Sequence, residues 1–320
     1  MGINIVRLPS AVRPLDTTGT LRRFFAPPLR VSRRWFLIAA LGGLLSMLAA
    51  IVLRKGGARA LRDDWPANFA HRGASARAPE NTLEAFRLAV RAGAGGLELD
   101  VHMTRDGEVV VIHDATVDRT TNGSGAVAQM TLGDLRGLDA GSRFSPDGGH
   151  THPYRGRGVG IPTLAEVYER FPAAFVNIDI KVPRPDAKEA VLRVIRGAED
   201  RSLVVSEDHA VVRSFRKASG GRIPTGASRL EIGAFYVLSR LGLQRLCRPA
   251  YDALQVPASH QGITLITPRL VRAAHSRGVR VDVWTINDPG EMRRLLDLGV
   301  SVIMTDRPET LTDVLEERRG

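Results

Sequence analysis

Three short motifs, His71-Arg72-Gly73, Glu98-Leu99-Asp100 and His113-Asp114, hold the groups needed to break a phosphodiester. Two imidazoles can move protons near neutral pH, a guanidinium can clamp two phosphate oxygens, and paired carboxylates can hold a hard divalent cation. Glu98 and Asp100 are two apart in an apolar run that reads as a strand, so their side chains share a face. On the inner face of a barrel they would repel without a cation, whereas on a solvated edge strand they would need none; the pair alone leaves both open. Asn177-Ile178-Asp179-Ile180-Lys181 alternates in the same way, with Asn177, Asp179 and Lys181 on one face. A surface strand would explain that face, and so would a metal ligand beside a cation.

Other positions carry weaker signals. Arg72 follows a strand end, where barrel enzymes place catalytic groups. In Pro79-Glu80-Asn81-Thr82, Asn81 reads as a helix N-cap and Glu80 as a group that orients a histidine or a metal-bound water. Trp284, near a strand end beside Thr285 and Asn287, reads either as core or as an apolar wall for the alcohol part of a substrate. His150-Thr151-His152 has no third ligand nearby. A single cysteine, Cys247, excludes an intramolecular disulfide framework and a cysteine-based zinc site.

The elements that must position these residues alternate as βα units. Strands are expected at 68–71, 97–102, 109–113, 175–181, 203–206, 223–226, 253–256, 279–285 and 302–305, and helices at 82–92, 164–170, 186–197, 208–217, 269–277 and 291–298. This is an α/β pattern filling 66–320, close to the roughly 250 residues of a (β/α)8 TIM barrel, with one strand candidate too many. Thr104-Arg105-Asp106-Gly107 leaves no room for a crossover helix, so the second and third strands are expected to form a hairpin that sets His113 opposite Glu98. Residues 115–160, rich in Gly, Thr, Asp and Arg, read as a small insertion at the active-site rim.

The charge is unevenly spread. Residues 1–62 carry +10 of the net +11, which leaves the barrel region almost neutral and argues against a nucleic-acid partner. Residues 1–34 form a basic segment, 35–53 an apolar run without charge, and 54–65 a linker. At about 1.5 Å per residue the run would extend about 28 Å as a helix, near the roughly 30 Å hydrocarbon thickness. It is expected to be a transmembrane helix or uncleaved signal anchor, making the protein single-pass with its N-terminus cytoplasmic and its catalytic domain extracytoplasmic. Ser32-Arg33-Arg34-Trp35-Phe36-Leu37 keeps a second reading open, export by a twin-arginine signal.

Taken in order, the motifs resemble the glycerophosphodiester phosphodiesterase family. To those above are added Asp118-Arg119-Thr120-Thr121, Leu138-Asp139-Ala140-Gly141, Ile161-Pro162-Thr163-Leu164, Trp284-Thr285-Ile286-Asn287 and Thr305-Asp306-Arg307-Pro308. The resemblance implies a barrel with His71 and His113 as the acid–base pair and Glu98, Asp100 and Asp179 as ligands of Ca²⁺ or Mg²⁺. It further implies Arg72 and Lys181 on the phosphate, and hydrolysis of glycerophosphodiesters to sn-glycerol 3-phosphate and an alcohol. The family's third ligand is usually glutamate, so Asp179 is a departure that a larger, more adaptable cation tolerates better. Two alternatives stay open: a lysophospholipase D acting on membrane lysolipids, and a barrel that binds phosphodiesters without cleaving them.

Overall fold

The computed structural model describes residues 64–181, 184, 186–260 and 262–320. The basic segment, the apolar run at 35–53 and most of the linker lie outside the described residues. Among the described residues no helix is long and apolar enough to cross a membrane.

The chain first lays down β1 (Asn68–His71), α1 (Leu83–Arg91), β2 (Gly96–Met103) and β3 (Val109–Val111). It continues through α2 (Leu132–Arg136), α3 (Leu164–Arg170), β4 (Phe175–Ile180), α4 (Ala187–Val194), β5 (Ser202–Val205), α5 (His209–Ala218) and α6 (Arg229–Leu241). After β6 (Ala253–Pro257) comes a short hairpin, β7 (Ser259–His260) and β8 (Ile263–Thr264). The last elements are α7 (Pro268–His275), β9 (Arg280–Trp284), α8 (Pro289–Asp297), β10 (Val302–Thr305) and α9 (Pro308–Glu317). Helix starts are fixed chemically: Thr82, Thr163, Ser228, Thr267 and Asp288 each cap the first turn by accepting from a backbone N–H.

Parallel strands are hydrogen-bonded in the order β5-β4-β2-β1-β10-β9-β6. The gap between β5 and β6 is filled by the expected strand at 223–226, which makes single bridges instead of a ladder: Thr225 to Val204 and Gly226 to Ala253. It is nonetheless bonded on both sides, Val204 N to Pro224 O and Gly226 N to Val204 O at 3.0 Å and Asp252 N to Thr225 O at 2.8 Å, and a Cβ on Gly226 would sit 2.5 Å from Val205 Cγ1, so glycine permits the close approach. With that stave the ring closes into a TIM-barrel-like fold. Its surplus strand is β3, which stands off the ring and pairs antiparallel with β2.

The expected hairpin is present, but its register differs from expectation. Val101 pairs with Val111, and Thr104 N donates to Glu108 O at 3.0 Å around a loop closed by Gly107 at φ 88°. That three-residue loop places Leu99, not Glu98, level with His113, and β3 ends two residues before it. Besides the short α2 inside the insertion, two helices escaped the reading of periodicity. In α6 the apolar residues lie on both sides, Phe235 and Leu238 inside and Leu230 and Leu241 outside, which blurs the amphipathic signal. In α9 the opening Pro308 reads as a stop but occupies the first turn, where proline is tolerated.

The insertion at 115–160 has its own small core of Val117, Val127, Leu135 and Ala140, packed on Val110, Ile112 and Ile161. At the strand-start end of the barrel, Trp65 stacks on Phe69 with ring centres 5.9 Å apart and carries the Arg280 guanidinium 4.6 Å from its centre. This end is tightly filled: a Cβ on Gly96 would lie 2.4 Å from the buried Phe69 ring. Gly96→Ala is therefore expected to cost about 1–3 kcal/mol by overpacking, read as a fall in Tm of roughly 3–10 °C.

Candidate active site

The site is built at the strand-finish end. His71 is the last residue of β1. The chain then turns through Arg72 at φ 56°, a left-handed conformation costly for a residue with a Cβ. It is held by two bonds, Arg72 N to Glu98 O and Asn81 N to Arg72 O, at 3.0 and 2.9 Å. The His71 ring meets Asp306, just after β10, with Nδ1 2.8 Å from Oδ1. Ser75 Oγ donates to that oxygen, and Asn287 Nδ2 donates to Oδ2, each at 2.7 Å. Although burial opposes it, these partners pull the Asp306 carboxyl down to about 2. An ionised Asp306 keeps a proton on His71 Nδ1, which leaves Nε2 as the basic atom. Burial pushes His71 down, but Asp306 and Glu98 outweigh it and its pKa is raised.

His113 repeats the arrangement. Its Nδ1 lies 2.7 Å from Asp114 Oδ1. Asp114 accepts from Arg119 at 2.7 and 3.1 Å, and chiefly through that bond is held well below the usual carboxylate range. The two histidines therefore have equivalent anionic partners on separate segments. His102 packs beneath, its Nε2 3.0 Å from the His113 carbonyl oxygen.

Three acids, Glu98, Asp100 and Asp179, line the same cavity as the histidines. Asp179 of β4 is in register with Asp100 of β2. Lys181 Nζ bridges them at 2.7 Å from Asp179 Oδ2 and 3.0 Å from Asp100 Oδ1. Arg72 Nε lies 3.2 Å from Asp100 Oδ2, and Asn81 Nδ2 donates to the same oxygen at 2.9 Å. Despite burial, Lys181 and Arg72 hold the Asp100 carboxyl low. Burial and the neighbouring Asp100 push Glu98 up to about 7, and burial raises Asp179 to about 6 in spite of Lys181. Asp179 Oδ1 is buried with no hydrogen-bond partner.

Among the described residues no three His, Cys, Asp or Glu side chains converge as a ready metal cage. The lysine-bridged carboxylates, expected as ligands, stand as ion pairs. The donor set nonetheless fits a hard divalent cation, because three carboxylates, one of them with an orphaned oxygen, exceed what two cationic side chains satisfy. A stability prediction follows. Glu98 and Asp179 have folded pKa values above their ordinary ones, so without metal their contribution is full below about pH 4 and is lost as pH rises through about 6 to 7. The metal-free protein should lose Tm across that window, and added Ca²⁺ or Mg²⁺ should restore it.

Other expectations need correction. Glu80 meets two guanidinium groups and not a histidine: it accepts from Arg72 Nη1 at 2.9 Å and from Arg119 at 2.7 and 2.8 Å. Asn81 is not the N-cap of α1, a position held by Thr82; at φ 58° it turns its side chain onto Asp100. Asn177 pairs with Gln255 Nε2 at 2.9 Å. Trp284 is 38% exposed and lines the cavity, as a wall would and core would not.

All of this opens into one cavity of about 730 Å³. His71, His113, Arg72, Lys181 and the three acids line it together with the apolar Ile232, Tyr236, Leu254, Leu265 and Trp284. The sequence motifs contained Asp306, Asp114 and Arg119, but nothing local gave them a role, since each acts across a long stretch of chain or a tight turn. Glu207 and Arg229, paired at 3.3 Å on the cavity wall, had no signal.

A barrel whose mouth gathers paired imidazoles, cations and buried acids belongs to a class of phosphoric diester hydrolases. The match to known proteins narrows this: residues 71–310 fit the model of the Glycerophosphoryl diester phosphodiesterase family, and the chain belongs to that family. It is 38% identical over 258 residues to a glycerophosphodiester phosphodiesterase of Caldanaerobacter subterraneus, covering 78% of this chain and 97% of the relative. A Bacillus subtilis glycerophosphodiester phosphodiesterase is 30% identical over 83% of this chain and 92% of its own length. Among solved structures, an Oleispira antarctica phosphodiesterase in complex with the product sn-glycerol-3-phosphate superposes with a TM-score of 0.61 at 25% identity, over 78% of this chain and 97% of that one. The protein is a glycerophosphodiester phosphodiesterase, and the reading as a binding barrel without catalysis is set aside.

Proposed function

We propose that the protein hydrolyses glycerophosphodiesters to sn-glycerol 3-phosphate and a free alcohol with a divalent cation, Ca²⁺ or Mg²⁺, held by Glu98, Asp100 and Asp179. The observation that carries this is the pair of histidines, each anchored through Nδ1 by its own carboxylate, in one cavity with a surplus of carboxylate oxygens. When bound, such a cation would neutralise charge on the phosphate oxygens. Arg72 and Lys181, which line the same cavity, supply the positive charge that binds those oxygens. One histidine takes a proton from the nucleophile, water or the substrate's own glycerol hydroxyl, and the other gives one to the leaving alkoxide. The matched partners of His71 and His113 suit either order. Removing the metal with a chelator should abolish turnover of glycerophosphocholine, and readdition should restore it. Full turnover in chelator would overturn the metal assignment.

A second reading rests on the apolar wall. Ile232, Tyr236, Leu254, Leu265 and Trp284 offer more nonpolar surface than a small polar alcohol needs, which favours an alcohol part with apolar character, as in a lysophospholipid. Comparing kcat/KM for glycerophosphocholine and lysophosphatidylcholine separates the two. We also place the enzyme at the membrane through residues 35–53, with the barrel extracytoplasmic; a topology-sensitive reporter at the C-terminus tests that placement.

A further inference from the structure

The flank of the barrel formed by α6 and α7 is charged unlike the rest. From residue 232 to 281 the sole acid is Asp252, which is buried and accepts from Thr225 N, against seven arginines and no lysine. Arg280 is drawn inward to Asp282, but Arg240, Arg245, Arg248 and Arg272 are exposed. Among them stand three large apolar side chains that folding leaves outside: Leu241 at 63%, Leu243 at 43% and Leu246 at 51% exposure. They lie at the end of α6 and in the single turn after it. That segment is fixed, not frayed: Gly242 at φ 78° closes the helix, Leu243 N returns to Leu238 O, and Arg277 Nε donates to the Cys247 carbonyl. The leucines are thus held outward by a well-anchored turn.

We propose that this turn docks on an anionic lipid bilayer, with the leucines entering the headgroup region and the arginines meeting lipid phosphates. Charge decides the occupant. Residues 1–62 of the chain carry +10, and a second copy presenting the same flank is also basic, so both would be repelled. Interleaved arginine and leucine instead match an interface that is negative at its surface and apolar beneath. The docking surface consists only of described residues and does not depend on whether 35–53 spans a membrane.

The test follows backbone hydrogen exchange in residues 240–248 of the full chain, reconstituted into vesicles of phosphatidylcholine alone or of equal parts phosphatidylcholine and phosphatidylglycerol. Exchange there should slow by on the order of tenfold in the anionic vesicles only, as several arginines near a charged surface imply, and high salt should reverse it. Combined Arg240→Glu, Arg245→Glu and Arg248→Glu should remove the slowing while hydrolysis of a soluble diester continues. Leu243→Ser with Leu246→Ser is the second variant, expected to weaken it with the charge intact. Equal exchange in both vesicles would overturn the proposal. So would slowing by polyglutamate combined with none by anionic vesicles, which would mark an acidic protein as the partner.

Discussion

Replacing either histidine by alanine is expected to lower kcat on a glycerophosphodiester by roughly 10²–10⁴-fold, with little loss of stability. Both rings stand at the cavity, neither lies in the apolar core, and in the proposed mechanism each moves a proton that water replaces poorly. The two variants should differ in how they depend on the leaving alcohol. Loss of the general acid is felt most with a poor leaving group, so a substrate with an activated leaving group should rescue one variant and not the other. That comparison assigns acid and base. A His71 or His113 variant that retained wild-type turnover would overturn the proposed mechanism.

Asp306→Asn should cost nearly as much, roughly 10²–10⁴-fold in kcat with KM little changed, although Asp306 is a positioning residue. The amide preserves shape but can turn an N–H toward His71 Nδ1, in place of the acceptor now 2.8 Å away. The proton then resides on Nε2 and the ring meets the cavity as a donor. A purely structural role predicts a fall in Tm with an unchanged pH–rate profile. A tautomer role predicts displacement of the pH limb that His71 sets, and partial recovery in Asp306→Glu. Folding alone is a weak explanation for an acid so fully engaged by His71, Ser75 and Asn287.

These two cases show what local pattern can and cannot reveal. Alternation exposed the carboxylate faces of β2 and β4, because a strand's period of two survives any arrangement of its neighbours. It also gave the βα order, and with it the barrel. The His113 register failed by one residue because it depends on whether a loop closes with two residues or three, and the pairing of Met103 with Val109 around Gly107 at φ 88° is of the longer kind. Glu80 looked like a partner for a histidine or a water, while the guanidinium it meets on Arg119 comes from 39 residues later. Asp306 meets His71 across 235 residues, a distance that only ring closure between β1 and β10 removes. The third acid remains the chemically distinctive position. Asp179 reaches its neighbours with one methylene fewer than glutamate, and one of its oxygens is left over.

The aromatic stack at the strand-start end has a kinetic meaning. With Trp65 laid over Phe69 and Arg280 laid over Trp65, the chamber is a cul-de-sac. Whatever enters between the histidines and Trp284 must leave by the same doorway, so both products queue where the next substrate arrives. Substrate arrival and product departure therefore share one route.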